Sequence, residues 1–204
     1  MFNHSVRRSC QQGFTLLELM VAMTLGGLIL GLGIPSFRDY LKGAELTRTA
    51  NDMLGAFYAA RSEAVQRRRN VAVCFTQTPE ATTPVCGLAA RAGWIVFVDS
   101  NSNGLMDAGE TLLVRHALPG GQVKMATLPL GNGGYFAYGP NGFGVTLPAG
   151  APLTGIALCD DRGNRAANNA DQSTARGLVV SAAGRPRVTR SVLEIASSTI
   201  GGCP

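Results

Sequence analysis

Gly13-Phe14-Thr15-Leu16-Leu17-Glu18 opens an apolar run that reads FTLLELMVAMTLGGLILGLGI over residues 14–34, with Glu18 as its only charge. At 1.5 Å rise per residue, a helix over this stretch is roughly 30 Å long, about one bilayer core. A carboxylate inside such a segment costs roughly 3 kcal/mol on insertion scales, so it requires a partner. One reading is an ordinary signal anchor that happens to carry a glutamate. The residues ahead of the run favour a more specific one. Residues 1–13 form a short polar leader with Arg7 and Arg8, without the apolar centre and small-residue cleavage site of a secretory signal peptide.

The helix has a second half. Gly31, Gly33 and Pro35 fall at the end of the run. Glycine and proline weaken a helix interior by about 1 and about 3 kcal/mol, so a bend or a melted turn is expected over residues 31–35. Residues 36–69 then read as helix again. Leu46, Ala50, Met53, Phe57, Ala60 and Ala64 recur at three- and four-residue steps and give one apolar face, with Arg48, Asp52, Arg61 and Arg67 mostly off it. The chain therefore divides into a leader (1–13), a membrane or filament-core helix (14–35), an amphipathic helix half (36–69) and a globular head (70–204). Arg67-Arg68-Arg69 closes the helix, where cations complement the macrodipole. DNA binding is the rival reading of this triplet.

From residue 71 the pattern changes to short β runs over 71–75, 94–98, 111–115, 134–138, 155–159, 177–181 and 186–190, separated by Gly, Pro and Asn clusters. A long helix followed by strands is an α+β pattern. Residues 160–174 (DDRGNRAANNADQST) are polar and read as a mobile loop.

Leader, Gly13, Phe14, Glu18 and apolar helix, all in register, resemble the prepilin leader of type IV pilins and type II secretion pseudopilins. The resemblance implies cleavage after Gly13 by a prepilin peptidase and N-methylation of Phe14. It also implies an assembly role for Glu18, opposite the N-terminal amine of a neighbouring subunit. A buried carboxylate is tolerable when a buried ammonium faces it. Further implied are single-pass insertion in the bacterial inner membrane with the head in the periplasm, and later assembly with other pilins or pseudopilins into a filament. Gly93-Trp94-Ile95-Val96-Phe97-Val98-Asp99, the Asn/Gly loop, Gly109-Glu110-Thr111-Leu112-Leu113 and Gly184-Arg185-Pro186-Arg187 narrow the resemblance to the GspH/FimT family of pseudopilins and minor pilins. The implied fold is type IV pilin-like: a long N-terminal helix packed on an antiparallel two-sheet β head.

Loss of the leader removes Arg7 and Arg8 from the 18 basic residues and leaves all 13 acids, so the chain stays mildly basic. That balance does not by itself argue for nucleic acid. Cys10 also leaves. Cys74, Cys86, Cys159 and Cys203 remain, an even number that suits two disulfides in an exported domain. Three pairings are open, with Cys74–Cys86 and Cys159–Cys203 nearest in sequence. A four-thiolate zinc site is the rival, although no pair has zinc-knuckle spacing.

Two constellations carry chemistry. Asp99, Asn101, Asn103, Gly104, Asp107 and Glu110 match the spacing of an EF-hand loop, with strands where that motif needs helices. They are either a calcium ligand set or a hairpin loop whose Asp and Asn side chains bond the local backbone. The second is a run of arginines: Arg162, Arg165, Arg176, Arg185, Arg187 and Arg190. Arg185 falls at a hairpin turn and shares a strand face with Arg187. Pro186 between them favours a sheet edge. Paired guanidinium forks suit phosphate oxygens. Gly184, Arg185 and Arg187 resemble the Gly-Arg-x-Arg DNA-binding motif of FimT-type minor pilins, which act in natural transformation. Arg190, Arg165, Arg162 and Arg176 join on charge grounds only. The alternative is a charged edge that blocks sheet-to-sheet association.

No hydrolase, zinc-protease or phosphate-loop motif is present, and His116 is the one histidine left after the leader. The chain reads as a non-enzyme without cofactors. Three roles fit it: a DNA-binding minor pilin, the H-type pseudopilin of a type II secretion filament, or a minor pilin that only primes pilus assembly.

Overall fold

The structure, a computed structural model, describes residues 13–87, 92–118, 120, 122–128, 134–167, 171–197 and 203. Arg7, Arg8 and Cys10 of the leader lie outside them. The chain divides into two compact units, Met1–Leu41 and Lys42–Pro204.

In the first unit, helix α1 (Leu16–Arg67) begins behind Thr15. The Thr15 hydroxyl accepts from the Glu18 N–H at 3.2 Å, which satisfies one of the donors orphaned at a helix start. Glu18 falls in the first turn, where a carboxylate complements the positive end of the helix dipole. The melted turn expected over residues 31–35 does not form: α1 runs through Pro35. Proline withholds one N–H and presses its ring on the carbonyl four residues back, here that of Gly31, and the turns on either side keep their bonds. The apolar side chains of this half are exposed on every side, Leu16 at 77%, Met23 at 69% and Ile29 at 67%. Among the described residues, α1 is one helix long and apolar enough to cross a membrane.

In the second unit the same helix behaves differently. Leu46, Ala50, Met53, Phe57, Ala60 and Ala64, the periodic stripe, are all buried. They pack with Val71, Val73, Trp94, Val96, Phe136 and Tyr138 from one sheet and Ile156, Leu158, Leu178 and Val180 from another. Full burial of one such side chain contributes roughly 1.5–3 kcal/mol. The helix ends where Arg68 takes a left-handed φ of 52°. There Arg69 N–H reaches back to the Ala64 carbonyl at 3.3 Å, a Schellman closure with arginine in the usual glycine place.

Nine strands follow among the described residues: β1 (Asn70–Thr76), β2 (Gly93–Asp99), β3 (Thr111–Ala117), β4 (Lys124–Leu128), β5 (Tyr135–Tyr138), β6 (Gly144–Val145), β7 (Gly155–Cys159), β8 (Gln172–Val180) and β9 (Pro186–Ser191). A short helix α2 (Val192–Ala196) closes the series. The strands form two antiparallel sheets, ordered β3-β2-β1-β5-β6 and β4-β7-β8-β9. The expected class, a long helix packed on an antiparallel two-sheet head, is the one found. Strands β4 and β6 and helix α2 are additions to the sequence reading.

Each sheet has a second covered face. Ala72, Cys74, Ile95, Phe97, Tyr135 and Ala137 form one small cluster, and Ala157, Cys159, Ala175 and Ile195 the other. Disulfides Cys74–Cys86 and Cys159–Cys203 enter these two clusters. The cysteines are therefore bonded to one another, and the zinc alternative falls away.

Candidate nucleic-acid interface

The loop between β2 and β3 is tied from within. Asp99 Oδ1 and Oδ2 accept from the backbone N–H groups of Asn103 and Gly104 at 3.1 and 2.8 Å. Glu110 Oε1 and Oε2 accept from those of Ser100 and Asp107 at 2.7 and 3.1 Å. Asp107 Oδ2 takes the amides of Asn101 and Asn103 at 2.8 and 2.6 Å, and these hydrogen bonds hold its carboxyl below the usual range. Five of the six carboxylate oxygens of Asp99, Asp107 and Glu110 thus accept from local amides. These hydrogen bonds are those of the hairpin-loop reading.

The six arginines do not converge on one patch. Arg176 is buried on the β8 face that also carries Leu178 and Val180, toward α1. Its guanidinium bonds Thr47 Oγ1 at 3.0 Å, the Gly43 carbonyl at 3.4 Å and the carbonyls of Thr174 and Ala175 at 3.1 and 3.0 Å. Burial, with Arg190 and Arg162 nearby, lowers its pKa to about 10. It is a clamp between helix and sheet, and the inclusion of Arg176 among exposed helpers is corrected. Arg162 folds onto the buried Asp160, with Nη2 to Oδ2 at 2.5 Å and Nε to Oδ2 at 3.0 Å.

The polar stretch 160–174 is corrected as well. Outside residues 168–170, which are not described, it is anchored rather than loose. Ser173 donates to Asn164 at 2.5 Å, Asn164 to the Val192 carbonyl at 3.0 Å, and Lys42 to Asp161 at 2.7 Å. Strand β8 begins inside it, at Gln172.

What remains lies along β9, the edge strand of its sheet. Ser181 N–H donates to the Arg185 carbonyl at 3.1 Å, and Gly184 N–H to the Ser181 carbonyl at 2.8 Å, which closes the β8–β9 turn. Gly184 has φ 73°, and a Cβ there would come within 2.7 Å of the Tyr138 ring. Only glycine fits. Tyr138 Oη also donates to the Gly184 carbonyl at 2.8 Å, and burial raises that phenol's pKa. The turn that presents Arg185 is thus pinned to a buried tyrosine of the other sheet.

Arg185 is exposed, and no side-chain partner meets it among the described residues. Arg187 is exposed too, but it makes a forked ion pair with Glu194 of α2, through Nη1 to Oε2 at 3.1 Å and Nη2 to Oε1. The pairing raises the Arg187 pKa, and Arg187 together with Thr189 lowers that of Glu194. Arg190 and Arg165 are exposed at the far end of the β8–β9 ladder. Five residues of strand put Arg190 roughly 17 Å from Arg185.

Two residues that shape this edge escaped the sequence reading. Tyr138 had no signal beyond being an aromatic in a strand. Glu194 did: Ser191-x-x-Glu194 is a capping-box pattern, and the Ser191 side chain caps α2 by accepting from the Glu194 N–H at 3.4 Å.

With this geometry in place, comparison with known proteins gives the family. The profile described as "Type II transport protein GspH" matches residues 49–184, two thirds of the chain. The "Prokaryotic N-terminal methylation motif" matches residues 8–34, which include Gly13, Phe14 and Glu18. The chain belongs to the GspH family of pilin-like subunits, which are structural rather than enzymatic. The family match ends at Gly184, one residue before the first arginine of the edge.

Among individual relatives, "Fimbrial protein" of Pseudomonas aeruginosa is 31% identical over 72 residues, 35% of this chain and 45% of that one. "Prepilin peptidase-dependent protein D" of Escherichia coli K12 is 42% identical over 52 residues, 26% and 33% of the two chains. "Pilin-like protein PilA1" of Thermus thermophilus is 29% identical over 107 residues, 52% and 60%. The chain therefore spans between a third and three fifths of these relatives' lengths. In fold it is similar to the type IV minor pilin FimU of Pseudomonas aeruginosa, at TM-score 0.45 and 19% identity, over 74% of this chain and 96% of that one.

Proposed function

We propose that this chain is a minor pilin of a type IV pilus that carries a DNA-binding edge. A prepilin peptidase cleaves it after Gly13, and Phe14 is N-methylated. The apolar half of α1 first holds it in the bacterial inner membrane with its head in the periplasm. The same helix, with Glu18, then enters the filament beside other pilins. On the assembled subunit the β9 edge binds double-stranded DNA without sequence preference, for uptake in natural transformation.

One observation carries the reading: Arg185 stands exposed, with no side-chain partner among the described residues, on an edge-strand turn held by Gly184 and Tyr138. A built turn that presents a free guanidinium suits phosphate contact, and Arg190 extends the contact along the same edge. Binding of this kind is driven by counterion release and is steep in salt.

A second reading has its own support. The family description belongs to type II transport, and the Arg187–Glu194 fork spends one arginine of the motif inside the head. In that reading the chain is a pseudopilin whose arginines only guard an edge.

The two separate in a mobility shift with the full chain in detergent. Wild type retards duplex DNA at low salt, and Arg185→Gln with Arg190→Gln does not. If wild type fails to retard DNA, the DNA reading falls and the secretion-filament reading stands; if the variant retards it equally, the β9 edge is not the site. Arg187 is left alone in this test, because its loss would also unpair Glu194.

A further inference from the structure

The Arg185 turn has neighbours that the sequence places far away. A Cβ on Gly184 would meet Gly144 N at 3.1 Å, and one on Gly144 would meet the Ala182 carbonyl at 3.4 Å. The β8–β9 turn therefore lies against the start of β6. The β5–β6 hairpin tip, turned by Gly142 N–H donating to the Gly139 carbonyl at 2.8 Å, leans the other way, onto α1. A Cβ on Gly142 would meet Val65 at 3.1 Å and the Arg61 Nε at 3.4 Å. Pro140 of the same tip lines a cleft of about 330 Å³ with Arg68, Arg69, Ser100 and Ser102. One short hairpin thus spans from the Arg185 turn to the C-terminal end of α1.

The charges at that end are lopsided. Arg68 and Arg69 are exposed, with no side-chain partner among the described residues. The acids nearby are already engaged: Glu63 pairs with Arg67, and Asp99 is buried with its oxygens on the amides of Asn103 and Gly104. The helix dipole asks for some positive charge here, but the effect fades within the last turn and Arg67 lies inside that turn. The left-handed conformation of Arg68, which favours glycine, turns the chain so that two more cations follow outside the helix.

We propose that the DNA surface continues from Arg185 across the β5–β6 hairpin to Arg68 and Arg69, which form its second limb. The inference rests on the DNA reading above. The cations are spread over one end of the head rather than aimed at a single point, which suits the repeating phosphates of a duplex and not one small anion. Arg61 lies beside the hairpin tip that joins them.

The test is anisotropy of a labelled random-sequence duplex with the full chain in detergent, across a salt series. Arg68→Gln with Arg69→Gln is expected to weaken binding about 10-fold at fixed salt and to reduce the slope of log K against log salt by about 2. Arg68→Lys with Arg69→Lys keeps the charges and is expected to keep the slope, which separates charge from any change in the helix end. If the glutamine pair binds like wild type while Arg185→Gln is weakened, the second limb is overturned and the β9 reading stands. If the glutamine pair is weakened while Arg185→Gln is not, the helix-end limb stands and the β9 reading falls. If wild type does not bind, both fall.

Discussion

Residues 16–41 and 42–67 of α1 share one kind of backbone and differ in where their apolar side chains lie. In the first stretch they cover all sides and are exposed. In the second they keep to one stripe, and Leu46, Met53 and Phe57 are buried against two sheets. A helix thus reports its surroundings through the distribution of its apolar residues. A stripe needs a protein partner. A full apolar coat needs a membrane or other helices around it. Thr47, bonded to Arg176, marks the second half as part of the head's polar framework.

The comparison breaks most readily at one apolar residue from each half. Phe57→Ala is expected to cost the head about 3–5 kcal/mol in a denaturant melt, the usual range for a buried phenylalanine. Leu25→Ala, in the exposed half, should leave the same melt unchanged. Equal effects would mean that the two halves do not differ as described.

Covalent ties sharpen the contrast next, because both disulfides belong to the head. Their loops differ, with sequence separations of 12 for Cys74–Cys86 and 44 for Cys159–Cys203. The chain-entropy relation gives about 3 and about 4 kcal/mol respectively. Replacing Cys159 and Cys203 by serine should therefore lower the melting midpoint more than replacing Cys74 and Cys86. The reverse order would show that native packing, and not loop closure, sets the cost.

The smallest expected effect is a pH dependence of the head. His116 stacks on Trp94, with ring centroids 4.0 Å apart, and desolvation by burial lowers its pKa from the ordinary 6.5. The unfolded chain takes up this proton first. The contribution of neutral His116 is therefore present above pH 6.5 and is lost as pH falls toward the folded value. Asp107, Asp161 and Glu194 also have lowered values, and their contributions are lost only in the acid range below their ordinary 3.8 to 4.5. His116→Gln should flatten the melt just below pH 6.5 and leave the acid limb as it was.

Much of the fold could be read from residue spacing. The stripe from Leu46 to Ala64 is buried at every position the 3.6-residue period selects. Seven of the strands fall on runs of apolar and β-branched residues. What escaped were elements made by context. Strand β6 has two residues and exists because β5 turns back on it. Strand β4 pairs β7 with a lysine at its start and carries little pattern of its own. The run through Pro35 escaped because intrinsic propensity counts one lost hydrogen bond and ignores the turns that hold it.

The site was less legible than the fold. Gly184 shows itself as a glycine that no other residue can replace, although its reason, the Tyr138 ring, comes from the other sheet. Alternation on β8 could have found Arg176, which shares a face with Leu178 and Val180. The pairing of Arg187 with Glu194 could not have been read from β9 alone. It depends on α2 folding back along that strand, which only the Ser191-x-x-Glu194 pattern hinted at.

If one half of the helix serves assembly and the arginine edge serves a ligand, the two functions can be separated in a single preparation. DNA retained by filaments sheared from cells would be measured for wild type, Glu18→Ala and Arg185→Gln with Arg190→Gln, above the level of filaments from cells lacking this chain. The account predicts that Glu18→Ala gives filaments without the subunit and without the extra DNA. The arginine variant should give filaments that contain the subunit and retain little DNA. Filaments of the arginine variant that hold as much DNA as wild type would contradict it.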